Sequence, residues 1–351
     1  MESALTMTPF TAAATPIAAA DLPEAVGPAI RTARGDCCGL IIMHHPEAAT
    51  DHVIVLINAP DKGPLDDAVA ATAIDTVAPF HPELRWLDEQ GRTAAEVAFT
   101  PPPTHFRPRS LEDRLRRRLM GRAVDLAVLP LGGRQKKLLI ADMDSTIIGQ
   151  ECIDELAAAA GVGEQVAAIT ERAMKGELGF RDALRERVAM LKGLPEAAIA
   201  EVIANCITIT PGATTLIATM KAHGAYTALI SGGFTPFAEH VASVVGFDCH
   251  QANDLPAANG VLTGQAAEPI LGRDAKRDAL KRLVEKRGLT LHDALAVGDG
   301  ANDADMIAAA GLGVAFRAKP VLADVADARI AHGDLTALLY LQGYTRDAFV
   351  T

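Results

Sequence analysis

Leu138-Leu139-Ile140-Ala141-Asp142-Met143-Asp144-Ser145-Thr146 is the stretch that decides the fold. Four apolar residues in a row, then two carboxylates and two hydroxyls, read as a fully buried strand ending in a polar loop. Two later segments repeat that design, Ala228-Leu229-Ile230-Ser231-Gly232-Gly233 and Ala296-Val297-Gly298-Asp299-Gly300-Ala301-Asn302-Asp303. Helical patterns lie between and after them, over 213–222, 235–245, 275–286 and 302–310. Turn residues mark a hairpin near 253–263, and one more strand pattern covers 312–316. Strands alternating with helices predict a doubly wound parallel sheet. The polar strand ends then share its carboxyl edge, where such sheets carry their sites.

Working outward, residues 150–205 are helical throughout, with starts near Gln150, Val162, Gly179 and Pro195. A helical insert directly after the first strand predicts a cap, at about 150–208, over the strand ends. Upstream, strand patterns at 53–59, 84–88, 94–99 and 124–129 and helix patterns at 65–77 and 111–122 give the order βαββαβ, the ferredoxin-like arrangement. The expected layout is a flexible arm over 1–35, a ferredoxin-like domain over 36–131 opening with a short strand at 39–44, a linker at 132–136, and an α/β domain over 137–351.

Composition narrows the function classes. The 351 residues carry a formal charge of −11, which disfavours non-specific nucleic-acid binding. The basic run 114–122 (RLRRRLMGR) reads as the solvated face of a helix whose other side is Leu111, Leu115 and Leu119. The five cysteines form no CxxC pair, Cys37 and Cys38 being adjacent, which predicts reduced thiols in the cytoplasm. Glu2 stands where a signal peptide would be basic, and no apolar run reaches the roughly 18 residues of a membrane span. His44 and His45 would point to opposite faces of a strand, which argues against a metal site there. No GxxxxGK[ST] loop is present, which disfavours an ATP-driven kinase.

A DxD after a strand is common as a cap or turn. Three polar strand ends in one α/β pattern, with Lys276 opening a helix between the second and third, are a constellation. With those residues in view, the region 138–344 resembles the haloacid-dehalogenase-type phosphatases and, within them, the phosphoserine phosphatase family. The wider resemblance rests on DMDST (142–146), the Ser231 strand end, Lys276 and GDGAND (298–303). The narrower one rests on ECIDELA (151–157), MKGELGFRDALRERVAML (174–191) and SGGF (231–234).

The resemblance implies a magnesium-dependent phosphoric monoester hydrolase that turns O-phospho-L-serine into L-serine and phosphate, the last step of serine biosynthesis. It implies Asp142 as nucleophile and Asp144 as general acid and then base. Magnesium would be held by Asp142, Asp299 and the backbone carbonyl of Asp144, with Asp303 behind them. Lys276, Ser231, Gly232 and Asn302 would bind the phosphate. Glu151 would meet the substrate ammonium, Arg187 its carboxylate, and Phe180 would shield the pocket, with Met174 lining it. Read by itself, Glu151 is a helix-start carboxylate, Arg187 a surface arginine and Phe180 a core residue; only their joint spacing says otherwise. Gln150 carries no reading.

The βαββαβ order resembles the ACT-type amino-acid-sensing fold, implying a regulatory or oligomerisation role and leaving a homodimer open. Two other functions stay on the table. One is the same chemistry, or phosphoryl transfer, on another small phosphomonoester; the other is a silent amino-acid-binding regulator, against which Asp142, Asp144, Lys276 and Asp299 all argue.

Overall fold

Strand β1 (His52–Asn58), helix α1 (Asp67–Thr76), strands β2 (Glu83–Trp86) and β3 (Ala94–Phe99), helix α2 (Pro108–Arg118) and strand β4 (Val124–Pro130) form the N-terminal half. The computed structural model describes residues 51–102, 106–174, 177–322 and 324–351. The arm expected over 1–35, the strand over 39–44, the Cys37-Cys38 and His44-His45 pairs and the Met174 side chain lie outside what is described.

The four N-terminal strands make an antiparallel sheet in the order β2-β3-β1-β4. Ile54, Leu56, Val97 and Val128 face α1 and α2, packing on Val69, Ala73, Leu111 and Leu115. Their neighbours Val53, Val55, Ile57, Ala127 and Leu129 point the other way, into a core shared with the C-terminal half. Alternate residues of a strand leave opposite faces, so the continuous apolar run of β1 marks a strand covered on both sides.

Within the segment expected as the linker, Arg134 and Lys136 are buried. Arg134 pairs with Glu96 at 2.9 Å, and the Lys136 ammonium donates to the carbonyls of Gly133 and His292, both at 2.8 Å. The basic run lies on the solvent side of α2 and the turn after it, opposite the buried Leu111, Leu115 and Leu119, and three of its arginines are paired there: Arg116 with Glu112, Arg118 with Asp75 and Arg122 with Asp66.

Strand β5 (Leu138–Ala141) begins the second sheet. Helices α3 (Cys152–Ala159), α4 (Gly163–Met174), α5 (Phe180–Met190) and α6 (Ala197–Cys206) form the insert. Then come α7 (Ala213–Ala222), β6 (Tyr226–Phe234), α8 (Thr235–Val245), β7 (Cys249–Asn253), the hairpin β8 (Ala257–Ala258) and β9 (Val261–Leu262), and α9 (Arg273–Lys286). Strand β10 (Ala294–Gly298), α10 (Ala304–Ala309), β11 (Leu312–Phe316), β12 (Ala328–Ile330) and α11 (Ala337–Leu341) complete the chain. The sheet order is β12-β11-β10-β5-β6-β7, all parallel. Leu139, Ala141, Leu229, Leu295 and Val297 fill the core on one face, while Leu138, Ile140, Ala228, Ile230 and Ala296 fill the other. Each of the Leu, Ile and Val side chains among them contributes roughly 1.5–3 kcal/mol by leaving water, which is why the run before Asp142 is uniformly apolar.

Strand β5 comes first in this sheet yet lies in its middle. The chain winds outward through β6 and β7, then returns to the other side of β5 through β10, β11 and β12. The order therefore reverses between β5 and β10, and crevices at such reversals lie beyond the carboxyl ends of the strands. Asp142 follows β5 and Asp299 follows β10.

The insert leaves and rejoins the core through two short crossing segments. Ile148 and Ile209 form an antiparallel bridge, the Gly149 N–H donates to the Thr208 carbonyl and the Thr210 N–H to that of Ile147. Gln150, opaque in the sequence, ties these segments together: its Nε2 donates to Thr208 Oγ1 and its Oε1 accepts the Thr208 N–H, both at 2.9 Å.

Candidate active site

Asp142 is buried at the end of β5, and its backbone N–H continues the ladder to the Val297 carbonyl of β10. Its Oδ1 accepts from the Met143 N–H and from the Lys276 ammonium, both at 2.7 Å. Lys276 lies in the first turn of α9, is 1% exposed, and also meets Asp303 Oδ1 at 2.6 Å. An unpaired buried ammonium would cost several kcal/mol. Burial works to strip the Lys276 proton, but Asp142 and Asp303 more than offset it, and its pKa rises above the usual lysine value.

The carboxylates outnumber that lysine. Asp142, Asp299 and Asp303 are all buried and offer oxygens within 4.8 Å of one another. Burial pushes the Asp142 carboxyl well above its ordinary range and Asp303 adds to this, while Lys276 pulls it down. Asp299 is raised to about 6, by burial first and then by Asp303 and Glu151. Thr146, in the loop after Asp142, brings its hydroxyl to 3.5 Å from Asp299 Oδ1. Three buried carboxylates forming an all-oxygen donor set, with too little positive charge to balance them, fit a small hard divalent cation. Asp303, expected behind this group from the sequence, stands in it.

Asp144 turns toward the insert. Burial, and then the charge of Glu151, raise its carboxyl to about 7. Cys152 opposes this by donating its thiol to Asp144 Oδ1 at 2.9 Å. Gly233 is required beside it, because a Cβ there would lie 2.7 Å from Asp144 Oδ2 and 3.1 Å from Ser231 Oγ. Ser145 adopts φ 54°, and its hydroxyl donates to Glu151 Oε1 at 2.8 Å. Glu151 is thereby held over the loop that carries Asp144.

Arg187 is half-buried on α5. Burial pulls its pKa below the ordinary arginine value, while Asp154, Glu151 and Asp144 act to keep it charged. Phe180 opens the same helix with 37% of its surface exposed, and its ring covers two glycines. A Cβ on Gly232 would lie 3.2 Å from Phe180 Cζ, and one on Gly272 3.3 Å from its Cδ1. Ser231 is buried, its Oγ accepting the Gly233 N–H at 2.8 Å. Asn302 is half-buried in the short turn Ala301–Asp303 before α10. Neither Cys152 nor Asp154 stood out in the sequence, since nothing in a thiol or an acidic residue early in a helix announces its partner.

The haloacid dehalogenase-like hydrolase family matches residues 139–308. The phosphoserine phosphatase SerB2 of Mycobacterium tuberculosis is 39% identical over 299 residues, covering 84% of this chain and 72% of that protein. A crystal structure of a probable phosphoserine phosphatase from Vibrio cholerae superposes with a TM-score of 0.66 at 32% identity, over 86% of this chain and 89% of that one. A structure of a phospho-aspartyl intermediate analogue of phosphoserine phosphatase superposes with a TM-score of 0.55 at 42% identity, over 59% of this chain and 98% of that one. The likeness runs through the insert and both sheets, and the chain belongs to the phosphoserine phosphatase family of haloacid dehalogenase-like hydrolases.

Proposed function

We propose that this chain hydrolyses O-phospho-L-serine to L-serine and phosphate by way of an aspartyl-phosphate. Asp142 attacks the phosphorus in line and displaces the seryl oxygen. Asp144 gives that oxygen its proton, then takes one from the water that cleaves the acyl phosphate. A carboxyl raised to about 7 can serve in both directions near neutral pH. Lys276, the Ser231 hydroxyl, the Gly232 N–H and Asn302 bind the transferring phosphoryl oxygens. Glu151 receives the substrate ammonium, Arg187 its carboxylate, and Phe180 closes the pocket against water. Asp142, Asp299 and the Asp144 carbonyl would hold magnesium, with Asp303 beside them. That ion would neutralise charge between a carboxylate nucleophile and an anionic substrate.

The observation that carries this reading is the contrast between two neighbouring aspartates. Asp142 is bonded to a buried lysine, while Asp144, two residues on, faces Glu151 and titrates near neutrality. The relative solved as a phospho-aspartyl analogue supports the covalent step.

We also propose that the βαββαβ half is a ferredoxin-like, ACT-type domain that regulates the enzyme or pairs it into a homodimer. Its strand order supports this. A place in the cytoplasm, completing serine biosynthesis, suits the free thiols of Cys152, Cys206 and Cys249. Among the described residues, no helix is long and apolar enough to cross a membrane.

Phosphate release from a panel of phosphorylated amino acids and sugars tests the substrate. O-phosphoserine with magnesium should be turned over fastest, and a chelator should abolish release until magnesium is restored. Faster release from a phosphosugar, or transfer to an acceptor alcohol in place of hydrolysis, would sink the assignment.

A further inference from the structure

We infer that Asn253 is a positioning residue whose side-chain amide sets the spacing between the two halves of the phosphate cradle. This rests on reading Ser231, Gly232 and Lys276 as phosphate-binding groups. Asn253 ends β7 and is 3% exposed. Its Nδ2 donates to the Gly232 carbonyl at 2.8 Å, and its Oδ1 accepts the Leu271 N–H at 2.7 Å. The Asn253 carbonyl accepts from the hydroxyl of Thr235, the first residue of α8. One residue thus joins the Ser231–Gly233 strand end, the start of α8 and the turn that leads into α9.

Regular pairing does not supply these bonds. The register between β6 and β7 is broken between Ile230 and Phe234, the very stretch that contains Ser231 and Gly232. A carbonyl and an N–H at those positions need another partner, and an amide is the side chain that offers a donor and an acceptor at once. Gly272 follows Leu271 and caps α9, and the Lys276 N–H bonds to the Gly272 carbonyl. The position of Leu271 is thus tied to that of Lys276 through the first turn of α9.

The need for a clamp here comes from what lies between residues 253 and 271. The chain runs out into the hairpin β8–β9, which is bonded to the insert and not to the sheet. The Gly193 N–H donates to Leu262, the Leu262 N–H to Leu194 and the Glu196 N–H to Gly260. Arg185 on α5 also meets Glu268 at 2.6 Å. Asn253 closes this excursion at its root, and Phe180 rests on the two glycines, Gly232 and Gly272, on either side of the closure. Asn253 is placed to hold the cradle constant when the cap pulls on the hairpin. Its bonds run to Gly232, Leu271 and Thr235, and not to Glu151 or Arg187.

Two variants test this. Asn253→Asp keeps the acceptor for Leu271 and sets an oxygen against the Gly232 carbonyl; Asn253→Ala removes both bonds. Binding of inorganic phosphate and of L-serine would be measured by calorimetry with magnesium, beside KM and kcat for O-phosphoserine and the unfolding midpoint. Phosphate affinity should fall about ten-fold in each folded variant and KM should rise, while serine affinity stays within about two-fold. If Asn253→Ala does not fold, Asn253→Asp decides alone. Unchanged phosphate affinity in a folded variant overturns the inference, and so does an equal loss of phosphate and serine affinity. Wild-type protein that binds phosphate but neither binds serine nor hydrolyses O-phosphoserine refutes the substrate assignment and leaves the phosphate test of Asn253 standing. Wild-type protein without phosphate affinity overturns both.

Discussion

At the seam between the N-terminal sheet and the phosphatase body, Asp125 is 2% exposed, and its carboxylate accepts N–H bonds from Ala331, His332 and Gly333 at 2.7–3.2 Å. At the carboxyl edge of the parallel sheet, Asp142, Asp299 and Asp303 are also buried, and only Asp142 and Asp303 meet the Lys276 ammonium. The seam gives its buried charge a full set of donors, and Glu96 nearby is likewise paired with both Arg134 and Arg85. The edge leaves negative charge in excess. A saturated buried carboxylate holds two surfaces in register. An unsaturated cluster raises pKa values and waits for a ligand, which is how sites differ from scaffolds. Mutations should therefore separate the two regions: losses of activity with stability kept at the edge, losses of stability with activity kept at the seam.

The largest separation is expected at Asp142. Asp142→Asn should lower kcat by ~10³-fold or more, since no other group replaces the nucleophile. Its unfolding midpoint should barely move or should rise, because one of several crowded carboxylates has lost its charge and Lys276 keeps Asp303. Turnover near the wild-type rate would end the covalent scheme. Arg187→Lys comes next. It should weaken O-phosphoserine by about 10–100-fold in kcat/KM, because an ammonium cannot grip a carboxylate bidentately. A phosphate ester lacking the amino-acid carboxylate should hardly notice the change. An equal loss on both substrates would remove Arg187 from carboxylate recognition.

How much of this contrast was readable beforehand depended on where each residue's partners lie. Asp142, Asp299 and Lys276 stood out because charged side chains directly after buried strands, or opening a helix between them, have few structural uses. The βαββαβ order was readable from periodicity, with strand ends at 52–58 and 94–99 close to those expected. Asp125 was invisible: it sits inside an ordinary strand, and its donors are more than 200 residues away. Asn253 was invisible for a related reason, since β7 reads Cys-His-Gln-Ala-Asn and shows neither apolar alternation nor a motif. The short strand β12 lacks enough residues to show a period. The seam did leave one trace, the unbroken apolar run of β1, which signals a strand covered on both faces.

Asp125→Asn probes the seam directly. One oxygen remains to accept, but an NH₂ now faces backbone N–H groups, so stability should fall by about 1–3 kcal/mol. Urea unfolding followed by tryptophan and tyrosine signals would measure it, and kcat of the folded fraction should stay unchanged. A fall in kcat with full stability would mean that the seam tunes the site and does not merely hold the halves together.

The smallest effect is expected where charge is neither buried nor crowded. Arg118 of α2 meets Asp75 Oδ2 at 2.7 Å and donates to Thr76 Oγ1 at 2.7 Å, with 42% and 69% of the two charged side chains exposed. Water competes for both ions, and ordering two long side chains offsets most of the attraction, so Arg118→Ala should cost about 0.2–1 kcal/mol. Salt is the sharper probe. Raising ionic strength should erase the difference between wild type and Arg118→Ala, because a pair open to solvent is screened. The Asp125→Asn difference should persist in the same buffers, because its partners are backbone dipoles shielded from ions. A salt-insensitive loss at Arg118 would show that its bond to Thr76, which links the two helices, matters more than its charge.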